Sequence, residues 1–344
     1  MFRHIPPERM FEKKEQRTNE QIIDSIFINL QLNKEDVVLE SVIDGFVHYV
    51  YKITDKKSDI IYFIKIRRNH FHSNQSIQIE PEDIGIEYKS IKLVSQLLPG
   101  IAPPIVYFNE ADSVICMEDI RGQMPTVAEI LYNHQIEYYE KIGQEIGQLH
   151  SSLQKISTPI REGGFEQVFY NNNLYYRLGF LGIPEVDIII AQLARLPKQV
   201  IHGDLNPKNL VFDTKASKLK IYDWETMHLG NQIFDLAFFE AHLVLEHCNE
   251  PEKLKSIISI FKDGYEGFVE LSGKSLEIPL IFALILYRLK SGFNYPTKHA
   301  IDKKHLIGVS LEIIKDKSLW FWPRVYGILD DTYGNHSDSG VQRS

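Results

Sequence analysis

The spacing of apolar residues changes once along this chain of 344 residues, and that change is the strongest constraint on its fold. Short runs of β-forming residues fill the first third, whereas apolar residues after about Gly122 recur mostly at helical spacing. The pattern predicts an α+β protein with a small sheet followed by a larger, mostly helical part. The predicted strands are Val37–Ile43, Val47–Ile53, Ile60–Ile66, Ile105–Phe108 and Val114–Met117.

Turn and helix signals define the order of the early elements. Asp44-Gly45 separates the first two strands and is a strong tight-hairpin signal, and Lys56–Asp59 supply the next turn. An antiparallel meander is therefore expected. A capping box of Thr18 and Gln21 predicts a helix before the sheet, and helical spacing predicts another over Ile84–Leu98.

These changes of pattern predict four regions. We expect an N-terminal helical extension over residues 1–34, a sheet-rich lobe over 35–120, a helical lobe over 121–330 and a loose tail over 331–344. Within the helical lobe, further helices are predicted over 253–271 and 276–291.

Charge and cysteine content exclude several classes of protein. The net charge of −8 argues against a nucleic-acid binder that works through a broad basic surface. Cys116 and Cys248 are too few for a disulfide framework, so a reducing, cytoplasmic compartment is expected.

The most apolar stretch, Ile278–Tyr287, is too short for a membrane span and is predicted to be a buried core helix. The sequence gives no prediction of oligomeric state.

The polar residues that indicate chemistry lie between residues 200 and 225. A short strand leads into the loop His202–Asn209, and the runs Leu210–Asp213 and Leu219–Tyr222 flank a polar turn, as in a hairpin.

That hairpin is expected to bring two metal-ligating side chains together. Asn209 and Asp223 each lie seven residues from Ala216, so antiparallel pairing places both at the open end. Asp204 lies five residues before Asn209. Carboxylate and amide oxygens in one pocket are the ligands that Mg²⁺ prefers.

This arrangement has the logic of a kinase catalytic loop, in which an Asp positions the acceptor hydroxyl and an Asn and a second Asp hold metal. His202-Gly203-Asp204 stands where protein kinases carry His-Arg-Asp, and Asp223-Trp224-Glu225 replaces Asp-Phe-Gly. The sequence thereby resembles the aminoglycoside phosphotransferase and choline kinase superfamily, the small-molecule branch of the protein-kinase-like fold. The resemblance implies a bilobal fold and an ATP-dependent transfer of phosphate to a small-molecule hydroxyl, on an aminoglycoside-, choline- or sugar-like acceptor.

The resemblance extends into the sheet-rich lobe. Lys65 resembles the third-strand lysine that grips the α- and β-phosphates of ATP, and Glu87 resembles its ion-pair partner. Glu80 or Glu82 are alternatives for that partner. Strand alternation places Lys65 on one face of the sheet and its neighbour Ile64 on the other.

Other matching segments run from about residue 39 to residue 239. The run 116–120 resembles the hinge, so that backbone groups near Glu118 and Ile120 would hold adenine, with Cys116 packed beside that pocket. Gly143–His150 resembles the helix before the catalytic loop, and Asp235 resembles a structural acid after the metal site.

The resemblance assigns Asp204 as the catalytic base and Asn209 and Asp223 as ligands of Mg²⁺, with ATP as donor and GTP left open. One departure is the first hairpin, residues 41–46, which carries one glycine where protein kinases carry GxGxxG.

A protein kinase and a catalytically silent nucleotide-binding module are the alternative functions. The polar candidates for acceptor binding are Glu225, Glu240, His242, Glu246 and His247. For Glu240 and Glu246 the alternative is a solvated helix face.

Overall fold

A computed structural model describes the greater part of the chain. The described residues are 17–42, 48–70, 72, 84–156, 174, 177–291 and 301–333. The chain divides into two compact units. The first comprises Met1–Tyr88 with Pro104–Asp119, and the second comprises Lys89–Pro103 with Ile120–Ser344.

A five-stranded antiparallel sheet forms the first unit, with strand order β1-β2-β3-β5-β4. All five predicted strands are confirmed, and their ends move by no more than about two residues, as is usual for strand ends. The Asp44-Gly45 hairpin tip lies outside the described residues. The strands are β1 (Val37–Val42), β2 (Tyr49–Asp55), β3 (Ile61–Ile66), β4 (Ile105–Asn109) and β5 (Val114–Glu118).

Helix α1 (Asn19–Asn29) packs against one face of this sheet. The predicted capping box is confirmed, since the Thr18 side chain accepts from the Gln21 N–H and the Gln21 side chain accepts from the Thr18 N–H. Ile26 of the helix and Ile64 of β3 are both fully buried in the shared apolar cluster. Burial of apolar surface at about 25 cal/mol per Å² is what holds such a helix in place.

Cys116 belongs to this apolar cluster, which corrects its predicted position beside an adenine pocket. It pairs in register with Ile64, while Lys65 pairs with Ile115. Because side chains alternate along a strand, Cys116 lies on the α1 face and Lys65 on the other. Burial raises the pKa of the Cys116 thiol to about 12, so little of the nucleophilic thiolate form is present near neutral pH.

Helices dominate the second unit, together with two two-stranded pairs, β6 with β9 and β7 with β8. The helix α2 (Ile84–Leu97), whose residues up to Tyr88 belong to the first unit, precedes a turn at Pro99-Gly100, as predicted. The remaining elements are α3 (Val127–Tyr132), α4 (Tyr139–Leu153), α5 (Pro184–Leu193), β6 (Gln199–Ile201), β7 (Leu210–Asp213), β8 (Lys218–Ile221), β9 (His228–Gly230), α6 (Gln232–His247), α7 (Pro251–Glu266), α8 (Glu277–Lys290), α9 (Lys303–Lys315) and α10 (Trp322–Tyr333).

Glycines let α4 and α7 cross at close range. A Cβ on Gly143 would lie 2.2 Å from the Phe261 carbonyl oxygen, and one on Gly264 would lie 2.2 Å from that of Glu140. Both approaches are shorter than any real side chain permits, so the crossing requires glycine on each helix.

The predicted core helix is confirmed as α8, whose residues Glu277–Tyr287 are all buried. Within the described parts of the chain, none of the helices has both the length and the apolarity that a bilayer span demands.

Candidate active site

Asp235, near the start of α6, holds the beginning of the predicted catalytic loop, His202–Asn209. Its Oδ2 accepts from the His202 N–H and its Oδ1 from the Gly203 N–H, each at 2.8 Å. His150 of α4 approaches the same carboxylate at 3.3 Å. Burial by itself would raise the pKa of Asp235, but its hydrogen bonds with His150 and the Gly203 N–H outweigh that effect and keep the pKa below its ordinary value. The loop is therefore anchored to a buried, ionised carboxylate.

Gly203 and His202 determine the path of the loop. Gly203 has φ +81°, and a Cβ there would lie 2.5 Å from the Thr226 carbonyl oxygen, so no other residue fits. The His202 ring accepts the Asp204 N–H at Nδ1 and donates from Nε2 to the Tyr222 carbonyl oxygen at 3.0 Å. His202 thus stabilises the loop through local hydrogen bonds to the backbone of Asp204 and Tyr222.

The Asp204 carboxylate is held through both oxygens. Asn209 Nδ2 donates to Oδ2 at 3.1 Å, and Arg177 Nη2 lies 2.7 Å from Oδ1. Arg177 also donates to the Gly203 carbonyl oxygen at 3.1 Å. The Asp204 side chain is 19% exposed, so a ligand can still reach it. The structure therefore joins the predicted base to one of the two predicted metal ligands.

Asp223, the other predicted metal ligand, follows β8 with φ +63° and ψ +55°. This left-handed conformation is uncommon for a residue other than glycine and occurs often at functional sites. The hairpin pairs Leu210 with Ile221, so the Asn209 carbonyl accepts from the Tyr222 N–H at 2.8 Å, one residue before Asp223. Symmetry about Ala216 predicts that Asn209 pairs with Asp223, so the observed register is shifted by one residue. Asn209 and Asp223 nevertheless both lie at the open end of the hairpin.

The donor atoms at this end of the hairpin fit a hard divalent cation. Asn209 turns its amide nitrogen to Asp204, and its Oδ1 therefore lies on the other side of the planar amide. The Asp223 carboxylate comes one residue after Tyr222, which pairs with Asn209. The donors available here are therefore the Asn209 amide oxygen and the Asp223 carboxylate oxygens, which suit Mg²⁺ or Ca²⁺.

In the first unit, the predicted pair Lys65 and Glu87 lies together. Lys65 Nζ is 2.7 Å from Glu87 Oε1, with the lysine side chain 14% exposed and the glutamate fully buried. The alternative partners Glu80 and Glu82 lie outside the described residues. A buried carboxylate in this position fixes the direction of the ammonium group.

The two predicted hinge residues each use one backbone group within the protein. The Glu118 N–H donates to the Pro104 carbonyl oxygen at 2.9 Å. The Ile120 carbonyl accepts from Lys220 Nζ at 3.4 Å.

Several polar candidates for acceptor binding are buried in α6. Glu240, His242 and His247 are fully buried and Glu246 is 4% exposed. The interpretation of Glu240 and Glu246 as a solvated helix face is therefore wrong, because α6 is buried on all sides. Glu225, by contrast, is partly exposed near Asp223 in the chain.

Arg177 is the site residue that sequence reasoning missed. It lies 27 residues before Asp204, in a stretch without a recognisable motif. The available signal was a single arginine, which is far more often a surface residue than a partner of a catalytic loop.

Comparison with known proteins finds a matching family model and several proteins that are named as kinases. Residues 47–249 match the model of a phosphotransferase enzyme family. Methylthioribose kinase of Bacillus cereus (strain G9842) is 22% identical, in an alignment that covers 65% of this chain and 65% of that protein. The chain thus spans about 65% of the length of the curated relatives it matches.

Two solved structures share the fold. A structure described as amicoumacin kinase hAmiN in complex with AMP-PNP, Ca²⁺ and Ami has a TM-score of 0.59 and 18% identity, covering 88% of this chain and 94% of that one. Choline kinase LicA from Streptococcus pneumoniae has a TM-score of 0.52 and 14% identity, covering 86% and 98%. These likenesses confirm the predicted kinase-like fold.

Proposed function

Because this chain belongs to the phosphotransferase enzyme family, we propose that it transfers the γ-phosphate of ATP to a hydroxyl group of a small molecule. The observation that carries the proposal is the loop in which Asp204 is hydrogen-bonded to Asn209 while Asp235 holds the backbone of His202 and Gly203. Such a loop presents one carboxylate and one amide in fixed orientation, as phosphoryl transfer requires.

Asp204 is the proposed catalytic base. Arg177 and Asn209 set the orientation of its carboxylate, and each oxygen retains lone-pair capacity for an incoming hydroxyl. Because phosphoryl transfer passes through a loose transition state, the main task of Asp204 is to orient the hydroxyl, and it accepts the proton as the new bond forms.

Asn209 and Asp223 are the proposed ligands of Mg²⁺. When bound, Mg²⁺ neutralises charge on the phosphate oxygens. The protein's contribution is to hold the two oxygen donors in place. It does so through the Asn209 carbonyl, which accepts the Tyr222 N–H, and through His202, which donates to the Tyr222 carbonyl.

Lys65 is the proposed ligand of the α- and β-phosphates. The buried Glu87 carboxylate holds its ammonium group at 2.7 Å and fixes its direction. For adenine, we assign the Glu118 carbonyl and the Ile120 N–H, since the Glu118 N–H and the Ile120 carbonyl already have protein partners. GTP is the alternative donor.

The acceptor belongs to the class of small polar metabolites or antibiotics that carry a free hydroxyl. The relatives are named for methylthioribose, choline and amicoumacin, so these three compounds are the first acceptors to test. A cytoplasmic location, where ATP is made available, is part of the proposal.

The test is an acceptor screen with the full chain and Mg²⁺, in which ADP release is measured with ATP as donor and GDP release with GTP as donor. We expect acceptor-dependent ADP release and a product heavier by one phosphate in mass spectrometry, both lost in Asp204→Asn. Nucleotide binding without turnover on any small-molecule acceptor would favour the silent module. Phosphate transfer to a generic protein substrate, with none to small molecules, would favour a protein kinase.

A further inference from the structure

Three polar side chains that the proposed function does not use meet in the second unit. His134 lies in the turn after α3, His247 is the last residue of α6, and Glu250 is the residue before α7. One ligand atom from each lies within 4.8 Å of the other two. We refer to them as the His134–His247–Glu250 cluster.

The distances within the cluster are close to those around a tetrahedral metal ion. Glu250 Oε2 lies 3.7 Å from His134 Nδ1 and 3.9 Å from His247 Nδ1. Ligands bound to Zn²⁺ at about 2.0–2.1 Å in tetrahedral geometry are about 3.3 Å from one another. A contraction of about half an ångström would therefore bring the Glu250 oxygen to ligand spacing from both rings, whereas the two ring nitrogens, which lie within 4.8 Å of each other, would have to close by up to about 1.5 Å.

His247 is prepared to act as a ligand. Its side chain is fully buried, and its Nδ1 atom has no hydrogen-bond partner among the described residues. Its other nitrogen, Nε2, lies 3.2 Å from the Tyr139 hydroxyl. With Tyr139 as acceptor of the Nε2 proton, the Nδ1 lone pair is directed at Glu250. A hydrogen bond from the far ring nitrogen is typical of metal-bound histidine, because it fixes the tautomer and the ring orientation.

The backbone also favours the cluster. His134 has φ +53°, a left-handed turn conformation that directs its ring to the end of α6. Glu250 stands at the N-cap of α7 but makes no side-chain capping hydrogen bond. Its carboxylate is instead turned to the two histidines and to Lys253.

Lys253 places a cation among the same atoms. Its ammonium group contacts His134 Nδ1 and lies 3.2 Å from Glu250 Oε2. The lysine side chain is 26% exposed, so it can move into solvent on rotation of its own long side chain. The arrangement already stabilises one positive charge at this position.

We propose that His134, His247 and Glu250 bind a divalent transition-metal ion, with Zn²⁺ as the best match, and that the ion displaces the ammonium group of Lys253. Two imidazole nitrogens and one carboxylate oxygen are a donor set that suits Zn²⁺ and leaves a fourth position for water. Glu250 is 44% exposed, which provides the entry path for the ion. The bound ion would join the turn after α3 to the C-terminal end of α6 and the N-terminal end of α7. Helix α6 also carries Asp235.

The test is a titration of the tag-free, chelator-treated full chain with Zn²⁺ alone. We expect one equivalent of Zn²⁺ to bind, and excess Mg²⁺ not to compete, because Mg²⁺ prefers an all-oxygen site. His134→Ala and Glu250→Gln should each weaken binding by more than about tenfold, as loss of a ligand does. Lys253→Met should strengthen binding, since it removes the competing cation.

Matched variants control for nonspecific binding. His305→Ala replaces an exposed histidine in α9, and Glu252→Gln replaces a glutamate of α7 whose side chain is 87% exposed. Both should bind Zn²⁺ as the unmodified chain does. With Co²⁺ as the probe, the visible absorption of a tetrahedral site should appear and be lost in Glu250→Gln. Unchanged Zn²⁺ affinity in His134→Ala and Glu250→Gln, or no binding by the unmodified chain, would overturn the proposal, whether or not the enzyme is a kinase.

Discussion

Arg177 holds Asp204 through a salt bridge in which Nη2 lies 2.7 Å from Oδ1. The same guanidinium donates to the Gly203 carbonyl oxygen and lies over the Phe238 ring, with its central carbon 5.1 Å from the ring centroid. Because the arginine binds both the side chain of Asp204 and the backbone just before it, it fixes the carboxylate relative to its own loop.

We therefore predict that Arg177 is a positioning residue. Arg177→Gln should lower kcat by about 10- to 100-fold, since an ångström of misplacement at a reacting group costs about that much. The KM for ATP should change little. Arg177→Lys keeps the charge but not the planar fork that reaches both partners, so it should recover part of the loss. Steady-state kinetics and a melting curve for each variant test this role. If Arg177 were only structural, kcat and Tm would fall together, and Arg177→Lys would not recover activity.

For the proposed base, Asp204→Asn preserves size and removes the negative charge. Turnover should fall by about 10²- to 10⁴-fold, the usual contribution of a general base, while nucleotide affinity stays nearly constant. Kinetics and a nucleotide-binding titration give the two quantities. A variant that retains more than about a tenth of the kcat would contradict the assignment.

The two proposed metal ligands should differ in effect. Asp223→Ala removes a charged ligand and should abolish turnover and weaken Mg²⁺-dependent nucleotide binding. Asn209→Ala removes a neutral ligand, so its activity should recover in part at high Mg²⁺. Activity measured across a Mg²⁺ series tests both. An unchanged Mg²⁺ requirement in Asp223→Ala would place the metal elsewhere, provided that the variant still melts cooperatively.

The ion pair in the first unit should act on ATP binding. Lys65→Met should weaken ATP affinity by about 10- to 100-fold, the worth of a charge-assisted hydrogen bond of about 1.5–3 kcal/mol. Glu87→Gln keeps an acceptor beside the ammonium and should have a smaller effect. Titration with ATP in the absence of acceptor measures both, and equal affinity in Lys65→Met and the unmodified chain would refute the role.

Buried Glu240 predicts an unusual dependence of stability on pH. Burial raises its pKa well above 4.5, with Glu277 adding to the effect, and neither carboxylate oxygen has a hydrogen-bond partner among the described residues. The folded state thus keeps a proton that the unfolded state releases above the ordinary pKa of glutamate. Stability from this group is full below that value and is lost as pH rises toward the folded pKa.

Glu240→Gln should therefore raise Tm, and the gain should be larger at about pH 8 than at about pH 5. The exposed Glu252→Gln serves as the control and should show no such trend. A Tm difference that does not change with pH would mean that Glu240 is ionised in the fold.

Local features of this protein could be read from the sequence. The capping box at Thr18, the strand alternation around Lys65 and the strand-loop-hairpin order around Asp204 each depend on neighbours in the chain. Short-range hydrogen bonds and side-chain periodicity are set by covalent connectivity, so they survive in any fold that contains the segment.

Tertiary packing decided the rest. Arg177 meets Asp204 across 27 residues, Cys116 faces α1, and Glu240 is buried because α6 is enclosed on all sides. The one-residue shift of the β7–β8 hairpin likewise depends on which backbone groups find partners. Burial and long-range pairing are properties of how separate elements pack, and no residue's own neighbours specify which surface will cover it.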